Sequence, residues 1–490
     1  MAGRLLLAAG GATATAALLA AALLLAAPAS ANTFTIPAGA SAVNASDGVC
    51  SLAEAAEAAN TDSIDNECPA GTGSDTILLS GGTYVVANLQ LGDPTANQST
   101  TVERLGAAPV TIESQSLSKV MTISGGSGGV TVSGVRVSGG VLNVSSAIGA
   151  GIAVGGGPFT LIDSTVTGNV ATAADDSGGG IAAGPGAGPM TLVNDTISGN
   201  SATGDGGGIL FGNGAGNKLT LENVTIADNH ANSDSMGGGN GGGVARVSFA
   251  PAMTLHNTII AGNSGGGAPD CVGFASGGTI TRSGNLIGDL SGCGYPTPGP
   301  GDITGVSPLL GPLADNGGPT QTQALIVGSL AIDHAVAPCP ATDQRGIARP
   351  QLAGCDIGAY ELKPVPTPAV ESPPSSTMPP AGAAPPAATA KPSGAFSFAR
   401  LKLNRASGTA TLTVTVPGPG MIAVGGKGIV RRSRRAAAAG PVKLLIAPAR
   451  KLKRKLDKEG GEKVTATITF TPFGGDPSSR SKTVQLVERH

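Results

Sequence analysis

The chain contains short runs in which apolar and polar residues alternate, and similar runs return at intervals of about 30 residues. Runs that open with Thr-Leu begin at Thr160, Thr191, Thr220 and Thr254, at spacings of 31, 29 and 34 residues, and a weaker copy begins at Thr131. Alternation over such short runs is typical of β-strands. No single run can bury its apolar side alone, so the recurrence predicts that successive units stack on one another.

Alignment of the units places residues of one kind in columns. Two apolar columns are predicted to face the interior: Leu161, Leu192, Leu221 and Leu255; and Val166, Ile197, Ile226 and Ile260. Two polar columns are predicted to form ladders of hydrogen-bonded side chains: Asp163, Asn194, Asn223 and Asn257; and Asn169, Asn200, Asn229 and Asn263. Asn suits this place because it both donates and accepts hydrogen bonds and tolerates the left-handed backbone of a corner.

A glycine triplet precedes a further apolar segment in three units, at Ile181, Ile209 and Val244. Each unit therefore offers about three short strands separated by corners, which predicts a parallel β-helix. Since parallel crossovers are overwhelmingly right-handed, we expect that hand. The predicted fold class is all-β: a right-handed, single-stranded parallel β-helix with an N-terminal helical cap, plus a small C-terminal β-sandwich domain.

The first 31 residues form an apolar stretch that ends in "APASA", which predicts a signal peptide cleaved before Asn32. An uncleaved membrane anchor is the alternative. No other segment approaches the 18 apolar residues of a membrane span. We therefore expect the mature protein to be secreted, extracellular or attached to the cell surface, without a transmembrane span.

Five further regions follow the signal peptide. Residues 32–72 are predicted to cap the β-helix, because Ser51 and Glu54 form a capping box before an Ala-rich helix. We assign residues 73–310 to the β-helix, 311–362 to its C-terminal region, 363–395 to a Pro-rich linker and 396–490 to the β-sandwich. Within the sandwich, a β-hairpin is expected around Pro417-Gly418.

The six cysteines fall into three local pairs, and export permits disulfide bonds. Six cysteines allow 15 connectivities, of which we predict the local one because short loops close most readily. The predicted pairs are Cys50–Cys68, Cys271–Cys293 and Cys339–Cys355. A metal site is the weaker alternative, since C-x-x-C is absent and no histidine stands at ligand spacing from these pairs.

Three segments carry a family resemblance. "CSLAEAAEAAN" with "SDTILLSGGTY" is similar to the CSLREA domain of secreted bacterial β-helix proteins, with Ala53 in the place of its Arg. The GGGI and TIxxN elements resemble repeats of polymorphic outer-membrane proteins. Residues Gly311–Glu361 resemble the C-terminal region of the choice-of-anchor Q family, with Gln323 where that family has His. The resemblance implies a secreted or surface protein and no established reaction.

Charge separates the two halves of the chain. Residues 32–362 hold 8 Lys and Arg against 26 Asp and Glu, a net charge of −18, whereas residues 396–490 hold 19 against 5, a net charge of +14. The basic patch is predicted at Arg431, Arg432, Arg434, Arg435, Lys451, Lys453, Arg454 and Lys455. We expect it to bind an anionic cell-wall polymer or glycan. The alternative is a solvated face; nucleic acid is not expected, because aromatic residues do not interleave with the charges.

Four aspartates precede glycine triplets and are the candidate catalytic or calcium-binding residues: Asp175, Asp176, Asp205 and Asp234. Stacked coils would bring them to one edge, where oxygen ligands suit Ca²⁺ and paired carboxylates suit a polysaccharide lyase or hydrolase. Loop aspartates are more often turn formers, and a chain without Trp offers little stacking surface for sugars. We therefore predict a monomeric, non-catalytic adhesive or structural protein without cofactor or metal.

Overall fold

A computed structural model shows two compact units, Met1–Val365 and Pro366–His490. It describes residues 31–41, 47–95, 97–144, 148–173, 175–212, 218–235, 238–247, 252–275, 278–294, 297–364, 393, 395–405, 407–418, 420–430, 432–436, 439–472 and 478–487. The predicted signal peptide lies outside these residues apart from Ala31, and so does most of the predicted linker.

The first unit is a parallel β-solenoid of about seven turns, whose strands form three long parallel sheets. Sheet 1 has nine strands: Thr33–Ile36, Asp75–Leu79, Thr100–Arg104, Val130–Ser133, Phe159–Ile162, Met190–Val193, Leu219–Glu222, Met253–His256 and Ile280–Ser283. Sheet 2 also has nine: Gly82–Val86, Val110–Ser114, Arg136–Ser138, Thr165–Thr167, Thr196–Ser198, Thr225–Ala227, Ile259–Ala261, Leu286–Ile287 and Ile303–Thr304.

The remaining strands of this unit are shorter or fewer. Sheet 3 has seven parallel strands: Leu89–Leu91, Met121–Ser124, Ile152–Gly156, Ile181–Ala183, Ile209–Phe211, Val244–Arg246 and Cys271–Val272. A small parallel sheet contains Val141–Leu142, Val170–Ala171 and Ser201–Ala202. An antiparallel pair, Leu310–Ala314 and Thr322–Leu325, follows the last coil.

Strand register confirms both apolar columns. Leu161, Leu192, Leu221 and Leu255 are paired in succession in sheet 1 and are fully buried. Val166, Ile197, Ile226 and Ile260 are paired in the same way in sheet 2 and are also fully buried. One residue type repeated along the chain therefore becomes one continuous stack inside the solenoid, because each coil repeats the register of the last.

The N-terminal end of the solenoid is covered as predicted by a helix, Leu52–Thr61. Ser51 accepts a hydrogen bond from the Glu54 amide, and Glu54 in turn accepts one from the Ser51 amide, so the capping box is present. The strand Thr33–Ile36 was not predicted. It pairs with Asp75–Leu79 and so extends sheet 1 one strand beyond the first coil, where it satisfies an otherwise open edge.

The second unit contains two antiparallel sheets around one apolar core, which confirms a small C-terminal β domain. Three strands form one sheet: Ser397–Asn404, Thr409–Val416 and Gly440–Ile446. Four form the other: Gly420–Gly425, Arg432–Ala436, Gly461–Pro472 and Ser478–Val487. The hairpin expected around Pro417-Gly418 is wrong, because the strands on either side of this turn belong to different sheets.

The second unit also contains a helix that was not predicted, Arg450–Glu459. Leu452 and Leu456, one helical turn apart, pack against the apolar core, and Leu456 is fully buried. This spacing of four residues is the helical signal in the segment. The high content of Lys and Arg concealed it.

Candidate functional site

The column that begins at Asn169 forms a continuous hydrogen-bonded ladder inside the solenoid. The Nδ2 atom of each Asn donates to the Oδ1 atom of the next, from Asn169 to Asn200 at 2.9 Å, on to Asn229 at 2.9 Å and on to Asn263 at 3.0 Å. Asn263 donates to Asp270 at 3.0 Å, which ends the ladder on a carboxylate. All of these side chains are buried, so their polar atoms support the fold and offer nothing to a ligand.

The column that begins at Asp163 behaves differently: Asp163 and Asn194 share a side-chain hydrogen bond, and the Asn side chains of the column also bond outside it. Asp163, Asn194, Asn223 and Asn257 all have left-handed backbone, with φ between 49° and 55°. This conformation turns the side chains away from the axis of the stack. The amides therefore donate to carbonyl groups of a later segment: Asn194 to Thr342, Asn223 to Asp356 and Asn257 to Val336.

That later segment, residues 320–361, is here named the strap. It lies along the outer face of sheet 2, where Thr165, Thr196 and Thr225 are buried. Gln344 of the strap donates to the Thr165 hydroxyl and accepts from the Thr196 hydroxyl, and the Ala359 amide donates to the Thr225 hydroxyl. Three successive coils are thus fastened by one segment about 150 residues away in the chain.

The strap holds its own charges in buried pairs. The guanidinium of Arg349 lies 2.9 Å from Glu361, and that of Arg345 lies 2.6 Å from Asp343. Burial raises the pKa of Asp356 to about 6 despite hydrogen bonds from the amides of Leu362 and Asp333. Because these charged groups contact one another and the backbone, we interpret the strap as a structural element and not as a reaction centre.

The four candidate aspartates differ in exposure and in hydrogen bonding. Asp176 is fully buried and accepts a hydrogen bond from the Ala173 amide, so it shapes its own turn. Asp205 accepts from the Asn240 amide at 2.6 Å and bridges neighbouring loops. Asp175 and Asp234 are exposed. In the described part of the chain, no group of three or more His, Cys, Asp or Glu side chains is placed to hold a metal ion.

All three predicted disulfide pairings are confirmed: Cys50–Cys68, Cys271–Cys293 and Cys339–Cys355. The first joins Cys50, which precedes the N-cap residue Ser51 of the cap helix, to the segment after that helix. The second closes a loop at the last coils, where both cysteines are fully buried. The third ties the strap to itself. Each bridge therefore stabilises the cap, the last coil of sheet 3 or the strap.

On the helix Arg450–Glu459, some basic side chains of the predicted patch form ion pairs and others do not. Lys453 forms an ion pair with Asp457, and Lys455 lies 3.0 Å from Glu462 and 3.8 Å from Glu459. Lys451 and Arg454 are exposed, and so is Lys458, which sequence reasoning missed. These three have no ion-pair partner among the residues that the structure describes.

Lys451, Arg454 and Lys458 are spaced by three and four residues, so they lie in one row on the helix. This row, here named the cation row, faces away from the Leu452 and Leu456 side that packs on the core. The first turn of the helix contains no acidic residue, although the positive end of the helix dipole makes cations unfavourable there. Lys451 is therefore unfavourable at this end of the helix, whereas Lys458 lies in the last turn, where a cation is favourable.

Two arginines of the other half of the predicted patch lie on an edge strand of the second unit. Arg431 and the side chain of Arg435 lie outside the described residues. Arg432 and Arg434 are exposed on an edge strand, in register with the buried Val424 and Ile422. Arg434 donates to the Lys443 carbonyl at 3.3 Å. Arg432 and Arg434 are two residues apart on this strand, so their side chains lie on the same face of the sheet.

A comparison with protein-family models gives no match, and a comparison with curated proteins gives none. Within the described residues, no helix is both long enough and apolar enough to cross a membrane. The fold and the arrangement of side chains are therefore the basis for any statement about function.

Proposed function

We propose that this protein is a secreted or cell-surface, non-catalytic adhesive or structural protein, whose C-terminal domain binds an anionic cell-wall polymer or glycan. The cation row carries the proposal, because Lys451, Arg454 and Lys458 are exposed, aligned and without an acidic partner among the described residues. A row of cations at successive helical turns suits a polymer with repeated negative charges. The three disulfides support an oxidising, extracellular setting.

The solenoid supports the non-catalytic part of the proposal. Its repeated polar residues are used to stack coils and to hold the strap, and Asp176 is used in a turn. A glycoside hydrolase needs two carboxylates that face one sugar bond. In the mature protein, a panel of polysaccharides should therefore yield no new reducing ends or unsaturated products. A product that disappears in Asp205→Ala would overturn the non-catalytic proposal.

We further propose that the N-terminal cap corresponds to a CSLREA domain and the strap to the choice-of-anchor Q region. Support comes from the place of each segment. "CSLAEAAEAAN" forms the cap helix with its capping box. "DQRGIARP" and "CDIGAYE" supply the buried ion pairs of the strap. Gln323, which stands where the family has His, is buried and donates to Asp228 at 2.7 Å.

The polymer proposal is tested by salt elution of the full chain from heparin and from purified cell-wall polymer. The triple variant Lys451→Ala, Arg454→Ala, Lys458→Ala should elute at clearly lower salt than the wild type, since fewer counterions are exchanged. The matched control is Lys402→Ala, Lys427→Ala, Lys463→Ala, which removes the same charge from exposed positions of the same domain. Equal effects of the two variants would show that net charge alone is responsible and would contradict the proposal.

A further inference from the structure

The outer face of sheet 2 is covered by the strap over only part of its length. Thr165, Thr196 and Thr225 lie beneath the strap and are buried. Thr111 and Arg136 stand next in register with Thr165, toward the N-terminal end, and are partly exposed. An open stretch of the same face therefore begins where the strap ends, and Arg136 stands at the boundary.

A second arginine reaches this boundary from the neighbouring coil. Arg104 ends a strand of sheet 1 and occupies the same corner column as Gly134 and Asp163. Gly134 has no side chain and a left-handed φ of 65°. A β-carbon on Gly134 would lie 3.3 Å from Arg104 Nε, so the Arg104 side chain lies over this glycine, two residues before Arg136.

The two arginines have donors that the described residues do not satisfy. Arg104 Nε and Nη1 and Arg136 Nε are buried atoms without a hydrogen-bond partner in this part of the chain. Asp163 is the next residue of the column, and burial raises its pKa to about 6, while a hydrogen bond with the Asn194 side chain and the charges of Arg104 and Arg349 oppose the rise. Its Oδ1 atom accepts no hydrogen bond from the described residues. A buried donor to which nothing binds is costly, above all on a charged group.

The charge balance of this unit makes the arrangement unusual. Residues 32–362 contain 8 cations and 26 acids, so an arginine has many acids available as partners. Arg345 and Arg349 are paired with acids in the strap. Arg104 lies over Gly134, two residues before Arg136, and neither arginine has an ion pair within 4 Å among the described residues, although the charge of Arg104 acts on Asp163. Two arginines with unbonded donors at one corner of an acidic unit suit a ligand that carries negative charge.

We propose that Arg104 and Arg136 form an oxyanion site at the boundary of the strap, which binds a carboxylate or phosphate group of a ligand on the open part of sheet 2. The planar guanidinium donates two parallel hydrogen bonds to either group. The Thr111 hydroxyl, in register with Arg136, lies on the same face. This site belongs to the solenoid and does not depend on the cation row of the C-terminal domain.

The test is calorimetric titration of the full chain with inorganic phosphate, a galacturonic acid trisaccharide and the neutral galactose trisaccharide. The cation row is replaced by alanine in every sample, so that the second unit contributes little. We expect one of the two anions to bind and the neutral sugar not to bind; which anion binds identifies the source of the oxyanion. Arg104→Met, Arg136→Met should weaken that binding about tenfold or more.

The charge-matched control is Lys119→Met, Lys218→Met, which removes two other cations from the same unit and should leave the affinity unchanged. Methionine keeps most of the aliphatic stem of arginine and removes the unpartnered donors, so the double variant should melt no lower than wild type without ligand. If it does not fold, Arg136→Lys alone should weaken binding, because lysine keeps the charge and loses the paired donors. Absence of anion binding, or equal loss in the lysine control, would overturn the proposal.

Discussion

The solenoid and the C-terminal domain use polar side chains in opposite ways. In the solenoid, Asn169, Asn200 and Asn229 are buried and donate to one another. In the C-terminal domain, Lys451 and Arg454 are exposed and have no partner among the described residues. The comparison shows that polar residues which repeat in register support this fold. Polar residues that break the repeat, on the helix or at the corner of Arg104, are the ones to which we assign ligand binding.

The largest expected effect comes from placing a charge in the apolar core of one unit. Ile197→Asp places a charge between Val166 and Ile226 inside the stack. Burial of an unpaired charge costs several kcal/mol, and the adjoining coils depend on this one, so the solenoid should lose its cooperative urea transition. Far-UV circular dichroism would follow the urea transition, and hydrogen exchange would report the opening of each unit separately.

The matched variant is Ile468→Asp, in the core of the C-terminal domain, where Ile468 is also fully buried. It should unfold that domain and leave exchange in the solenoid at its wild-type rate. If either substitution opens both units together, the two units do not fold independently, and the contrast drawn between them fails.

The next effect distinguishes the two polar columns within the solenoid. Asn200→Ala removes bonds to Asn169, Asn229 and the Val166 carbonyl and leaves buried groups unsatisfied. We expect a loss of about 3 kcal/mol in the free energy of unfolding. Asn194→Gly keeps the left-handed corner and removes the bond to Thr342. It should cost only about 1 kcal/mol, and urea melts that rank the two in the opposite order would contradict the ladder.

The sequence predicted the solenoid well because its signals are local and repeated. The spacing of the Thr-Leu units is sufficient to align Leu161 with Leu192 and Ile197 with Ile226, and the structure has these pairings. The capping box was predictable for the same reason, since Ser51 and Glu54 are three residues apart. Each inference used residues of one coil or one helical turn, within which the backbone fixes the geometry.

What the sequence did not predict depends on contacts between distant segments. Asn194 looks like Asn200 in the repeat, and only the left-handed backbone and the strap, 148 residues later, give it another role. The row of Lys451, Arg454 and Lys458 was hidden because its helical spacing lies within a run of charges. Arg104 and Arg136 are isolated in the sequence, and the fold places Arg104 over Gly134, two residues before Arg136.

A smaller effect concerns acidity, because burial raises the pKa of Asp163 to about 6. An unfolded Asp has a pKa near 3.9, so the folded state binds this proton more tightly. Stability from this group is present at low pH and is lost as pH rises from about 4 to 6, on the order of 2 kcal/mol. Asp163→Asn, the residue found in the next three coils, should flatten the dependence and raise stability at pH 7. Thermal melts of the solenoid between pH 4 and pH 7 measure both, and an unchanged slope in the variant would exclude Asp163 as the cause.

The smallest effect tests whether the exposed charge of the C-terminal domain serves binding and not folding. Lys451 lies in the first turn of the helix Arg450–Glu459, which has no acidic residue there and no side-chain cap at Ala449. A cation at this end opposes the helix dipole, so Lys451→Ala should stabilise the domain by about 0.5 kcal/mol at low salt. The same variant should elute from heparin at lower salt, because it shortens the cation row.

Lys453→Ala is the control: it breaks the ion pair with Asp457 and should not stabilise the domain. If stability rises and affinity falls in Lys451→Ala, but not in Lys453→Ala, the cation row serves a ligand. If stability and affinity both fall in Lys451→Ala, Lys451 supports the fold, as Asn200 does in the solenoid.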